Sequence, residues 1–149
     1  MGWKTLKLQA FLAVCLAAGT PGAWATGDLS CEIDDANLAF SLFASTNREH
    51  GTIVSMTEAS LALKASTLAK KMGRDFKIER DHVIQQWFLQ RELRIAINID
   101  NDNGSLLLAI TGQGNRTQER YSGRYVLKLS YSDGSTRTVS GRIKECSAG

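Results

Sequence analysis

Two histidines, three cysteines and a few neighbouring acidic residues are the raw material for chemistry in this 149-residue chain. Asp81 directly precedes His82, and a carboxylate so placed could orient an imidazole as a general base. The dyad has no nucleophile in a recognisable setting, because the chain lacks a Gly-x-Ser-x-Gly run and a cysteine to spare. An Asp-His pair at the start of a strand is more commonly a turn, so no enzymatic activity is expected. His50 falls in the turn cluster Asn47-Arg48-Glu49-His50-Gly51. The two histidines do not stand at ligand spacing, so neither a metal nor another cofactor is expected.

Asp100-Asn101-Asp102-Asn103 before Gly104 has the composition of a calcium loop. An EF-hand needs a further ligand ahead of the glycine and a glutamate six residues beyond it, where Ile110 stands. Turn chemistry accounts for each of these residues. Gly112-Gln113-Gly114 is too short to cradle phosphate and opens no helix. Asn115-Arg116-Thr117 is a glycosylation sequon, which has meaning only in a eukaryotic source.

The cluster with most to offer is Trp87, Phe88, Arg91 and Arg94, with Gln85 and Gln86 beside them. Successive aromatics in a strand point to opposite faces, so one of them is exposed unless both faces are covered. An exposed aromatic next to arginine is the composition of an interaction hot spot. The plainer reading makes Trp87 the core tryptophan, with Phe88 filling a second small cluster.

The elements that would carry these residues are strands. Leu93, Ile95, Ile97 and Ile99 alternate with Arg94, Ala96, Asn98 and Asp100, and Leu106, Leu108 and Ile110 resume the pattern after Gly104. Pairing Ile99 with Leu106, Ile97 with Leu108 and Ile95 with Ile110 keeps every large apolar side chain on one side, whereas a slip by one residue exposes half of them. Earlier, Leu38, Phe40 and Leu42 mark a strand starting a few residues after Cys31. Thr52–Met72 can be read as a strand with Ile53, Ala59, Leu61 and Leu63 on one face, or as a helix with a Ser55/Glu58 capping box and a Leu61, Ala65, Leu68, Met72 stripe ended by Gly73. The β-rich Thr52-Ile53-Val54 favours a strand to about Lys64, followed by a helical turn over Ser66–Lys71.

Phe76 and Ile78 mark a short strand, and Val83–Phe88 another with Trp87 on the parity of Val83. Gly112–Glu119 reads as a polar loop. Tyr121, Gly123, Tyr125, Leu127, Leu129 and Tyr131 alternate strictly with Ser122, Arg124, Lys128 and Ser130. A three-residue loop, Ser132-Asp133-Gly134 with a left-handed glycine, then pairs Leu127 with Val139 and Gly123 with Ile143. The last strand, Arg137–Lys144, runs into Cys146. Tyr121-Ser122-Gly123-Arg124-Tyr125 is loosely similar to a serine-glycine-tyrosine patch of small exported β-barrels that inhibit lysozymes. That match covers five residues without the surrounding pattern, and no family follows from it.

The chain opens with an address. Lys4 and Lys7 precede an apolar run over Leu8–Ala18, Pro21-Gly22 breaks it, and Ala23-Trp24-Ala25 fits a secretory cleavage site. A lipidation box ending at Cys15 is the weaker alternative, since Val14 is large for its position and the apolar run continues past the cysteine. Residues 1–25 are therefore expected to be a signal peptide and 26–149 a single β-domain, periplasmic or secreted. Cleavage removes two lysines and no acid, taking the formal charge from +3 to +1, which leaves no basic excess for nucleic acid. Cys31 and Cys146 then remain as a pair near the two ends of the domain, expected to form a disulfide in an oxidising compartment.

Seven to eight antiparallel strands with at most one short helix imply an all-β β-sandwich or meander barrel. The expected function is an exported, non-enzymatic domain that binds another macromolecule through Trp87, Phe88, Arg91 and Arg94, as an inhibitor, chaperone or envelope accessory. Its partner would be a protein of the envelope or extracellular space, with no nucleic acid and no stable membrane span. The alternative is a barrel that carries a small hydrophobic ligand.

Overall fold

The computed structural model describes residues 26–47, 49–89, 91–115 and 120–149. Residues 1–25, expected to be a signal peptide, lie outside them, as do Arg48, Gln90, and Arg116 and Thr117 of the sequon. Apolar–polar alternation dictates the architecture, because each strand so patterned can bury only one face. Among the described residues the strands are β1 (Thr26–Asp34), β2 (Leu38–Asn47), β3 (Thr52–Leu63), β4 (Asp75–Lys77), β5 (Val83–Leu89), β6 (Glu92–Asn101), β7 (Gly104–Gly114), β8 (Arg120–Tyr131), β9 (Thr136–Arg142) and β10 (Glu145–Ala148). One helix, α1 (Ser66–Met72), and a 3₁₀ turn at Arg80–His82 interrupt them. No helix among the described residues is long and apolar enough to cross a membrane.

All ten strands belong to one antiparallel sheet in the order β4-β3-β2-β1-β10-β8-β7-β6-β5, with β9 also paired to β8. The sheet curls into a half-barrel. This corrects the expectation of seven to eight strands and of a possible sandwich. The two additional strands are β1 and β10, which carry the cysteines. β10 spans four residues, too few to show a period, and β1 mixes its buried Leu29, Cys31 and Ile33 with Gly27, Asp28 and Glu32, all poor strand formers.

The central hairpin has the register that its alternation demands: Ile99 opposite Leu106, Ile97 opposite Leu108 and Ile95 opposite Ile110. β6 and β7 extend to Asn101 and Gly104, leaving only two residues in the turn. Leu127 pairs with Val139, and Gly134 takes the left-handed conformation (φ 82°) that closes a three-residue loop without strain. The Ile143 N–H donates to the Gly123 carbonyl at 3.2 Å, the expected partner. β7 corrects one expectation, since it continues through Gly112–Gly114 as a paired strand rather than opening a loop at Gly112.

The ambiguous Thr52–Met72 segment divides as expected into a strand followed by a helical turn. Leu68 and Met72 of α1 are buried, and Gly73 (φ 99°) ends the helix with its N–H on the Ala69 carbonyl at 3.0 Å. β3 shifts register twice against β2, so that Thr57 and then Val54 stand without a partner. Two shifts restore parity, which is why Ile53, Ala59, Leu61 and Leu63 can all contribute to the same core.

The concave side of the sheet is filled by one cluster containing Leu29, Leu42, Leu61, Ile97, Leu108 and Leu127. Cys31 and Cys146 face each other in paired strands β1 and β10 and form a disulfide, with Cα atoms 4.0 Å apart. The bond joins the half-sheet β1–β4 to the half-sheet β5–β10, in which β10 pairs with β8. A second link lies inside the curl. The Tyr125 hydroxyl donates to Asp35 Oδ2 at 2.5 Å and accepts from the Asn37 amide at 3.2 Å. The far edges of the two half-sheets meet through a side chain: Gln86 Oε1 accepts from the Ile53 N–H at 3.1 Å and the Arg80 guanidinium at 2.9 Å.

Candidate binding face on the outer sheet

A bulge in β5 decides which side of the sheet each aromatic meets. Val83 pairs with Ile97 and Gln85 with Ala96, leaving Ile84 without a partner. Beyond this extra residue the parity reverses. Gln86 and Phe88 stand opposite the inward-facing Ile95 and Leu93, while Trp87 stands opposite Arg94 on the outer surface. Phe88 is 6% exposed and Trp87 46%. Both assignments correct the sequence reading: Trp87 does not share the face of Val83, and Phe88 belongs to the core rather than to a surface patch.

Arg91 lies in the β5–β6 turn, exposed, with its carbonyl accepting the Gly114 N–H at 2.7 Å. Arg94 is exposed on β6, and its Nη2 lies 3.3 Å from Glu92 Oε2. Of the four residues singled out, Trp87 and Arg94 are therefore cross-strand neighbours, Arg91 is in the adjoining turn, and Phe88 is beneath.

The pairing extends this couple into a row that the linear sequence conceals. Arg94 stands opposite Thr111, Thr111 opposite Arg124, and Arg124 opposite Arg142. A line perpendicular to the strands thus reads Trp87, Arg94, Thr111, Arg124, Arg142 across β5 to β9. Gln85, Gln113 and Ser122 flank it and, with the three arginines, line a groove of about 560 Å³. Its floor includes Gly112 and Gly123, which face each other across β7 and β8. A Cβ on Gly123 would run into the Thr111 carbonyl oxygen and come within 2.6 Å of the Gly112 Cα. A bare backbone is required at that crossing.

Arginines directly opposite one another repel and cost stability unless something neutral or anionic intervenes. Among the described residues neither Arg124 nor Arg142 forms an ion pair. Sequence reading missed both. The outward parity of Arg124 was legible in the alternation of β8, but the alignment of both arginines with Arg94 required the register of four strands.

A second groove, also of about 560 Å³, crosses the outer surface of the other half-sheet, lined in part by Glu32, Asp34, Ser41, Ser60, Lys77 and Lys144. Two of its carboxylates are paired with lysines, while Asp75 in the same lining has no ion pair among the described residues. Lys64 Nζ lies 2.6 Å from Asp34 Oδ1, and Lys144 Nζ lies 3.1 Å from Glu32 Oε2. The hydrogen bond from Lys64 holds the Asp34 carboxyl below its ordinary range, and that to Glu32 raises the Lys144 ammonium.

The remaining polar clusters have local structural work. His82 Nδ1 accepts the Glu79 N–H at 3.0 Å, and the Glu79 side chain accepts the His82 N–H, a reciprocal cap on the 3₁₀ turn. This occupies the nitrogen that Asp81 would have to orient. Asn101 Oδ1 accepts the Asn103 N–H at 2.9 Å while its amide donates to the Met72 carbonyl at 3.2 Å, tying the β6–β7 turn to α1. Among the described residues no group of three or more His, Cys, Asp or Glu side chains could hold a metal ion. Tyr125 is fully buried, and burial followed by its bond to Asp35 pushes its hydroxyl up to about 12. For Asp35, burial raises the carboxyl, but the hydrogen bonds from Tyr125 and the Leu38 and Asn37 N–H groups outweigh it and leave a net lowering.

No protein-family model, curated protein or solved structure matches this chain.

Proposed function

We propose that this chain is an exported, non-enzymatic β-domain that binds another macromolecule through the outer surface of β5–β9. The observation that carries the reading is the exposed Trp87 set against Arg94 at the head of an arginine-lined groove. Aromatic and arginine side chains together on an accessible surface offer large contact area and directional charge at low conformational cost. Export is supported by the three-part pattern of residues 1–25 and by the Cys31–Cys146 bond, which persists in an oxidising compartment.

The test is capture from the envelope of the exporting cell by the mature domain, compared with Trp87→Ala, Arg94→Glu and, on the opposite half-sheet, Lys77→Glu. A partner retained by the parent and Lys77→Glu but lost by the other two supports the reading. Retention by the parent and all three variants, or capture of nothing, overturns it. The alternative of a hydrophobic-ligand carrier has no specific observation in its favour, because apolar side chains already cover the concave side.

A further inference from the structure

We infer that the groove binds a carboxylated polysaccharide, a chain of uronic-acid-type sugars lying across β5 to β9, with one ring stacked on Trp87. The inference rests on the reading that this surface binds a macromolecule, and it assigns that macromolecule to glycans rather than proteins.

Three features select the class. The first is chemistry. Arg94, Arg124 and Arg142 present planar guanidinium forks, which match carboxylates in a two-bonded geometry. Thr111, Gln113 and Ser122 alternate hydroxyls and an amide among them, groups suited to sugar hydroxyls. Trp87, 46% exposed at the end of the row, offers a flat aromatic surface to the apolar side of a pyranose.

The second is spacing. Neighbouring strands lie about 4.8 Å apart, so a row perpendicular to them repeats at that interval, and Arg94 and Arg124 stand roughly two intervals apart. A pyranose unit is comparable in length to one interval, so consecutive rings meet consecutive strands. An extended peptide places same-side carboxylates about 6.6 Å apart, out of step with the row. Nucleic acid would require a broad positive field, whereas residues 26–149 carry a formal charge of only +1.

The third is the contrast in charge. The equally large groove on the other half-sheet holds charges of both signs, with Lys64–Asp34 and Lys144–Glu32 paired, whereas Arg124 and Arg142 are like charges that face each other without a counter-ion among the described residues. An anion spanning the arginines relieves that repulsion.

The experiment is calorimetric titration of the mature domain with galacturonate and guluronate oligomers of about four rings, the length of the row. Carboxyl-reduced oligomers and a poly-aspartate peptide of matched charge serve as comparators. Binding by a uronate oligomer is expected to weaken at least about tenfold in Trp87→Ala and more in an Arg124→Gln/Arg142→Gln pair, to fall with salt, and to be absent for both comparators. Lys77→Gln should leave it unchanged. Failure of every uronate oligomer to bind, or equal binding of poly-aspartate, overturns the inference. If the oligomers fail while envelope capture still depends on Trp87 and Arg94, the glycan assignment falls and the binding surface stands. If both fail, the surface falls as well.

Discussion

The two half-sheets offer grooves of the same size and opposite electrostatic design. On β1–β4 both signs surround the groove and most of the charges are paired, with Lys64 on Asp34 and Lys144 on Glu32, leaving Asp75 as the one lining charge without an ion pair among the described residues. On β6–β9 like charges are aligned across neighbouring strands, and of the three arginines that line the groove only Arg94 has an acidic partner among the described residues. Exposed ion pairs contribute little to stability, so the first arrangement is what a solvated surface settles into under no other demand. The second is locally unfavourable, and a chain retains such an arrangement where it serves binding. The difference between the halves, rather than the presence of arginine, identifies the groove.

The largest way to break the comparison is to uncouple the halves. Replacing both Cys31 and Cys146 with serine opens a link across 115 residues and is expected to cost about 4–5 kcal/mol in denaturant unfolding. A loss below about 1 kcal/mol would mean that the strand pairings alone hold the halves together. Within the binding half, Phe88→Ser is expected to cost about 3–5 kcal/mol and Trp87→Ser less than about 1 kcal/mol, because only the first empties a buried site. Equal costs would contradict the bulge that separates the two side chains.

Alkaline unfolding probes the internal tie between the halves. The folded Tyr125 hydroxyl titrates at about 12 against an ordinary value of 10.0. Its contribution is therefore complete below pH 10 and is lost as pH rises through about 12. Stability of the parent should fall by on the order of 1–2 kcal/mol more than that of Tyr125→Phe across this window. Parallel curves would remove the coupling between Tyr125 and Asp35.

The smallest effect is the sharpest for function. Arg142→Gln should leave stability unchanged or raise it by up to about 0.5 kcal/mol, since it relieves a like-charge pair, whereas Lys64→Gln should lower it by up to about 1 kcal/mol. Thermal scans of the two variants at low salt check the sign. A destabilised Arg142→Gln would show that the arginine row has a structural purpose.

Much of the fold is legible in the amino-acid sequence. The register of β6 and β7 follows from alternation because a one-residue slip would expose Ile95, Ile97 and Ile99 together. The β8–β9 loop follows from the demand that Leu127 meet Val139 rather than Ser140, and the disulfide from the two cysteines near the ends of the expected β-domain. What escapes is parity across irregularities. The extra residue at Ile84 in β5 carries no mark in composition, and it reverses the assignments of Trp87 and Phe88. β1 and β10 escape because their residues are weak strand formers or too few to repeat.

The sequence by itself determined the all-β class, the central hairpin, the strand-then-helix division of Thr52–Met72 and the pairing of Cys31 with Cys146. Each depends on local periodicity, turn chemistry or cysteine number, all of which are properties of a short stretch or of a count. Tertiary structure alone decided that one sheet curls instead of two stacking, that Trp87 faces water, and that Arg94, Arg124 and Arg142 fall into one line. Those outcomes depend on bulges and on the cumulative register of five strands, from β5 to β9. A single inserted residue anywhere along that path would move an arginine to the opposite face, because side chains alternate at every step.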